Sequence, residues 1–390
     1  MIFWKRTPLR KKLEKAELNM GIIGAGGFAR FAAEAFIQCP GVKLLALMDV
    51  NKDLARQMGN ELGMKVYDEF EQLLSDEDIG LIYIATPPFL HYSHSKMALL
   101  AGKHVICEKP AALKTAEAEE LSSIARSRQL LYVVNLMQRY NPLYQKVKKV
   151  IDEEILGNFL HGYFENYASD QNLSPDHWFW DVSKSGGIFI EHGVHFFDLF
   201  SGWLGQGRVI GAWHLLRPGV QAKIIDRVQA TVIYGGGLVN FYHGFDQPEI
   251  LDRQEMRLLF ERGEITLYGW VPVEMKLHGI LLKGQLRKLQ NMMEAFSTVR
   301  QNKIPGSQRL KGRFKDLDCE EQVTIDYVNG LGKQGIYRQM LTSMISDQWK
   351  WVKNRRHVRL IDDRNAVEST HMAEEATRMS ETFHAKKSLR

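Results

Sequence analysis

Six residues near the start of the chain, Gly24-Ala25-Gly26-Gly27-Phe28-Ala29, follow the pattern G-x-G-x-x-A. Between a strand and a helix, the first glycine permits a tight turn and the second lets the backbone approach a pyrophosphate. The third small residue lets helix and strand pack closely. Asp49 stands 20 positions after Ala29, at the end of the next apolar run. A carboxylate there accepts hydrogen bonds from ribose hydroxyls and repels a 2′-phosphate. Gly24, Gly26, Gly27, Phe28, Ala29 and Asp49 therefore predict a dinucleotide site that favours NAD. Lys52 and Arg56 follow closely and keep NADP open.

Three other groups carry chemistry. Lys109 lies just past an apolar run, where a nicotinamide ring would sit. Its bond to Pro110 belongs to the class that tolerates the cis form. Taken alone, it is equally a surface lysine in a tight turn. Glu191 and His195 are spaced i, i+4, with Asp198 three further on, so one helix face could present an imidazole beside a carboxylate. A histidine that merely packs or caps fits that spacing as well. Asp176-His177-Trp178-Phe179-Trp180-Asp181 combines flat apolar rings with hydroxyl-binding acids, a composition that suits a carbohydrate and equally a packed seam. Arg139, Tyr140 and Asn166 are weaker members of the same cavity.

These residues need a scaffold, and the first 140 positions supply its pattern. Apolar runs at 18–23, 42–48, 81–85, 104–107 and 130–134 alternate with helical spacing at 28–38, 52–62, 90–100 and 115–128. Such alternation predicts a doubly wound parallel sheet, with ligands beyond the carboxyl ends of the strands. After residue 140 the texture changes to strand-like runs at 157–168, 208–216, 226–234, 237–245, 256–261 and 264–269. Helical spacing returns from about 321. The expected fold is thus α/β: an N-terminal Rossmann domain over 19–138, then an α+β domain over 139–390 built on a largely antiparallel open sheet.

Five blocks, in order, resemble one family. They are the glycine loop, Ile84-Ala85-Thr86-Pro87-Pro88-Phe89-Leu90-His91, Ala101 to Pro110 with Glu108-Lys109-Pro110, Gln138-Arg139-Tyr140-Asn141-Pro142, and Gly186 to Asp198. The pattern is similar to that of the glucose-fructose oxidoreductase and inositol dehydrogenase family, Gfo/Idh/MocA. The resemblance implies that Ala85, Thr86, Pro87, His91, Glu108, Lys109 and Asn135 line the cofactor. It assigns catalysis to Lys109, His195 and Glu191, and it places a glutamate at 191 where the family more often has aspartate. Lys109, Arg139, His177, Trp178, Asp181 and His195 become the expected substrate contacts. The implied reaction is hydride transfer between NAD(P) and a secondary alcohol or ketone of a sugar, polyol, sugar acid or nucleotide sugar. Alternatives in the same fold are an NAD-dependent glycosidase and a non-catalytic NAD-binding sensor. A homodimer or homotetramer built through the open sheet is the implied assembly.

Composition sets the outer bounds. No run approaches the roughly 18 apolar residues of a membrane span, and a signal-peptide core is missing from the start. Three cysteines without CxxC spacing predict neither a disulfide framework nor a metal centre. We expect a cytoplasmic enzyme with a small carbohydrate-like substrate and no nucleic-acid or membrane partner. The net charge is only +5, yet it is unevenly spread. Residues 1–18 hold six basic residues against two acidic, and residues 276–315 hold ten against one. The first reads as a basic extension. The second reads as an inserted basic helix and loop, suited to covering an anionic substrate.

Overall fold

The computed structural model describes residues 17–218, 223–293, 297–312 and 316–387. Residues 1–16, most of the basic extension, lie outside that range. The chain divides into two compact units.

The first unit begins with β1 (Leu18–Ile23), α1 (Gly27–Ile37), β2 (Val42–Met48), α2 (Lys52–Leu62), β3 (Lys65–Tyr67), α3 (Phe70–Ser75) and β4 (Leu81–Ile84). It continues through α4 (Pro88–Leu100), β5 (His104–Cys107), α5 (Thr115–Ser127) and β6 (Tyr132–Val134). Its six strands are all parallel, in the order β3-β2-β1-β4-β5-β6. The order reverses between β1 and β4, which opens a crevice at their carboxyl ends. Ile22, Leu47, Ile82, Ile84, Val105 and Ile106 are fully buried in the sheet, which is why these strands read as continuous apolar runs rather than alternating ones. Local signals set the helix limits. The Asn51 side chain accepts from the Asp53 and Leu54 amides at the start of α2, and Gly63 closes that helix in the left-handed region at φ +67°.

The second unit contains α6 (Pro142–Asp152), β7 (Phe159–Ser169), α7 (Val194–Leu204), β8 (Gly207–Leu216), β9 (Ile225–Tyr234), β10 (Gly237–Gln247), β11 (Arg253–Phe260) and β12 (Gly263–Tyr268). After these come β13 (Glu274–Leu281), α8 (Gln285–Met293), β14 (Ser297–Lys311) and β15 (Asp316–Val328). Nine strands form one sheet in the order β14-β15-β13-β12-β11-β7-β10-β9-β8, antiparallel except where β10 pairs with β7. On β7 the alternation is clean: Gly162, Phe164, Asn166 and Ala168 are buried, while Tyr163, Glu165 and Tyr167 are half-exposed. The buried face packs on α7, where Phe196 stacks on Phe164 and Phe197 meets Phe241 edge-on.

Two long helices close the chain, α9 (Gly332–Lys353) and α10 (Asp363–Lys387). Residues 338–371, together with 182–186, belong to the first unit. Side chains explain the attachment. Asp363 accepts from Ser122 Oγ at 2.5 Å and from Arg126 Nε at 2.7 Å, and Tyr140 Oη donates to Asp347 at 2.7 Å.

Two expectations need correction. Helix and loop do not describe the segment 276–315: it carries most of β13, the short helix α8, and β14, so it is largely sheet. Its Lys288, Arg300 and Arg309 are ion-paired with Glu153, Asp326 and Asp316. Helical structure also starts later than position 321. Val323, Ile325 and Tyr327 alternate with polar residues and pair β15 to β13.

Candidate active site

In the first unit the candidate residues converge at the carboxyl ends of the parallel strands. Gly24 sits at φ +103°, and a Cβ there would lie 2.5 Å from the Ala85 carbonyl oxygen. Only glycine permits this turn. Gly26 and Gly27 differ: a Cβ at either would meet nothing within 4 Å. Among the described residues, open space therefore borders the loop, and the cap residue of α1 is Gly26, which has no side chain to offer. Asp49 is anchored by two backbone amides, Ala25 N at 2.6 Å and Asn51 N at 2.7 Å. Lys52 donates to the Asp68 carbonyl, and Arg56 meets Asp53 in an exposed pair.

Beyond β4 and β5 a second cluster forms. Glu108 is 8% exposed; it accepts from Tyr83 Oη and, at 2.8 Å, from Asn135 Nδ2. Burial pushes its carboxyl above the usual carboxylate range, against the lowering effect of those bonds. Asn135 Oδ1 is buried and has no partner in the described protein. Lys109 is half-buried, and its bond to Pro110 is cis. His91 is buried, with Nδ1 2.7 Å from the Pro110 carbonyl and Nε2 2.6 Å from the Thr86 carbonyl. It thus braces the Thr86 and Pro110 loops, with both ring nitrogens facing backbone. The carbonyls favour the imidazolium and burial favours the neutral ring; burial prevails, pushing His91 down to about 4.

The glycine cradle, the anchored Asp49 and the leftover Asn135 acceptor fit a dinucleotide. An adenosine ribose would reach Asp49, a pyrophosphate the Gly26–Ala29 amides, and a nicotinamide the strand ends near Glu108 and Lys109.

In the second unit His195 lies in the first turn of α7 and is 2% exposed. Glu191 lies in a π-helical turn, Phe189–Gly193, just before that helix. The expected single α-helical face is therefore interrupted, because the wider turn rotates Glu191 relative to His195. Sequence reasoning passed over three neighbours. Trp270 Nε1 donates to His192 Nε2 at 3.2 Å, His192 Nδ1 lies 2.9 Å from His243 Nδ1, and the Trp270 ring stands perpendicular to His195 at 5.1 Å. The available signal was His192 inside the recognised block; nothing local marked His243 or Trp270.

The aromatic loop joins this cluster through Phe245, which packs against His192, Phe179 and Trp180. His177 caps the short turn Trp178–Trp180 by accepting from Phe179 N. Trp178 and Asp181 are half-exposed. Arg217 fastens the loop: it pairs with Asp170 at 2.6 Å and Asp226 at 3.2 Å, donates to the Phe245 carbonyl at 3.1 Å and covers the Trp180 ring. Asn166 is buried against the Gly244 carbonyl and Tyr140 is bonded to Asp347, so each has a structural bond. Arg139 is half-buried on the turn Met137–Tyr140 of the first unit.

A doubly wound sheet with this loop chemistry, followed by an α+β unit on a nine-stranded sheet, defines a Rossmann-type dinucleotide-binding protein. The family is shown directly. Residues 18–136 match the oxidoreductase family with an NAD-binding Rossmann fold, and residues 144–266 match the GFO/IDH/MocA C-terminal domain. The chain belongs to the Gfo/Idh/MocA oxidoreductase family.

Among curated relatives, scyllo-inositol 2-dehydrogenase (NAD(+)) of Bacillus subtilis is 28% identical over 185 residues, 47% of this chain and 53% of that protein. Levoglucosan dehydrogenase of Pseudarthrobacter phenanthrenivorans is 28% identical over 218 residues, 52% of this chain and 56% of that one. The chain spans about half the length of the first curated relatives it matches. A solved levoglucosan dehydrogenase complex with NADH and levoglucosan superposes with a TM-score of 0.74 at 16% identity, covering 94% of this chain and 98% of that one. That likeness is one of fold.

Proposed function

We propose that the chain is an NAD-dependent dehydrogenase or reductase acting on a secondary alcohol or ketone of a sugar, polyol, sugar acid or nucleotide sugar. The observation that carries this reading is the gathering of the open glycine loop, amide-anchored Asp49, Glu108 and Lys109 at the ends of one parallel sheet. Relatives named for scyllo-inositol and levoglucosan support the substrate class. Asp49, whose carboxylate would accept from the ribose hydroxyls and repel a 2′-phosphate, supports NAD over NADP.

The cofactor supplies the hydride acceptor or donor. Lys109 holds the substrate hydroxyl and steadies negative charge as the alkoxide develops. His195 takes or returns the hydroxyl proton, with Glu191 as its carboxylate neighbour. Arg139, His177, Trp178 and Asp181 are the substrate contacts in this reading. The exposed face of the nine-stranded sheet, with Leu160, Leu238, Leu259 and Tyr268 uncovered, supports a homodimer or homotetramer.

The test is a screen with NAD and NADP against free polyols, sugar acids and nucleotide sugars, followed by Lys109→Met. Turnover should fall by roughly a thousandfold or more, while NAD affinity by calorimetry stays within about threefold. Wild-type-like turnover in that variant would remove Lys109 from the chemistry.

A further inference from the structure

Three histidines crowd the start of α7, and their proton positions can be deduced. An indole N–H only donates, so His192 Nε2, 3.2 Å from Trp270 Nε1, is the acceptor and carries no proton. A neutral His192 then has its one proton on Nδ1 and gives it to His243 Nδ1, 2.9 Å away. His243 is left with its proton on Nε2, which meets no acceptor among the described residues. Packed against Phe164, Phe189 and Phe196, His243 is pushed well below the usual histidine range by burial and by His192. It stays neutral, so the pair has a single proton order. His192 is the hub of this arrangement. Its turn brings Glu191, α7 brings His195, β10 brings His243 and Phe245, and the segment after β12 brings Trp270.

The consequence concerns His195. The Trp270 indole stands at 88° to its imidazole, and is itself held at the backbone, where Trp270 N donates to Gln254 Oε1 at 3.2 Å. We propose that His192 is a positioning residue for His195: as a neutral Nδ1–H tautomer it holds the Trp270 indole, and the indole sets the plane of the His195 ring. This rests on the reading of His195 as the proton-handling group. His192 itself touches no reacting atom in it.

The test needs no substrate. Full-length protein labelled with 15N-histidine is studied by long-range 1H–15N correlation at pH 7.5, in wild type and in His192→Phe, His192→Gln and His195→Asn. The signal lost in His192→Phe should show the Nδ1–H tautomer. The signal lost in His195→Asn should shift in His192→Phe, which cannot accept from the indole, and stay near its wild-type position in His192→Gln, which can. A Nε2–H or doubly protonated His192 overturns the proposal. So does a His195 signal indifferent to His192→Phe, or one moved equally by both variants. If His192→Phe does not fold, the wild-type tautomer and the Gln variant decide. Undiminished NADH formation by His195→Asn on the polyol panel would instead sink the role of His195, leaving the tautomer result standing.

Discussion

At the residue scale, the glycine loop separates folding from binding. Gly24→Ala would force a side chain into the left-handed region and against the Ala85 carbonyl, costing about 2 kcal/mol or more. Gly26→Ala has room for its methyl group and an ordinary φ of −65°. It should melt like the wild type yet bind NAD roughly tenfold or more weakly, because its methyl group stands where a pyrophosphate approaches. Calorimetric titration beside a melting curve checks both. Equal NAD affinity in Gly26→Ala would displace the cofactor from this loop. Glu108 offers a pH test. Its carboxyl is raised by burial, so the fold favours the protonated form. That contribution is present below about pH 4.5 and lost as pH rises through the raised value. Wild-type Tm should therefore fall relative to Glu108→Gln between pH 4.5 and 8. Parallel curves would show that Glu108 is not held in this way.

At the element scale, β7 to β12 were legible and β13 to β15, at one edge of the large sheet, were not. Periodicity located β7 to β12 within a few residues because each presents one buried and one wetter face. It missed β13 to β15: β13 and β15 do alternate, but they flank a basic stretch that reads as a helix and loop, and β14 carries few apolar residues. The aromatic loop before α7 shows a second limit. Its composition suggested a pocket, but its order comes from Arg217, 18% exposed at its side chain and more than 30 residues further along the chain. Arg217→Gln should leave the sheet intact while amides 171–180 exchange with deuterium at least about tenfold faster, since local opening follows the contacts that are lost. Unchanged protection there would mean that Phe179 and Phe245 hold the loop without the guanidinium.

At the scale of the whole molecule, buried histidines should make the fold acid-sensitive. His91 is pushed down to about 4 and His104 to about 3, chiefly by burial, and His243 lies well below the usual range. Each takes a proton more readily in the unfolded chain. Their contribution is full above pH 6.5 and is lost as pH falls from there toward 4. Glu108 works in the opposite sense but is one group against three. The urea midpoint should accordingly drop steeply between pH 7 and pH 5. A flat profile would mean that these rings reach solvent.

The sequence by itself determined the doubly wound unit, the glycine-rich turn after its first strand, the family, and the placing of Lys109 beyond a strand. Those features are local: turn geometry, strand length and helix spacing are written within a few tens of residues. The tertiary structure alone decided that residues 338–371 join the first unit through Asp363 and Asp347. It alone set His91 between two carbonyls, left Asn135 with a spare acceptor, and brought His243 and Trp270 to His192. The bonds of Asp363, Asp347 and His192 join side chains more than 50 positions apart, and those of His91 and Asn135 cross between loops and strand ends. Neither kind leaves a periodic trace in the chain, and only folding brings the donors and acceptors within reach.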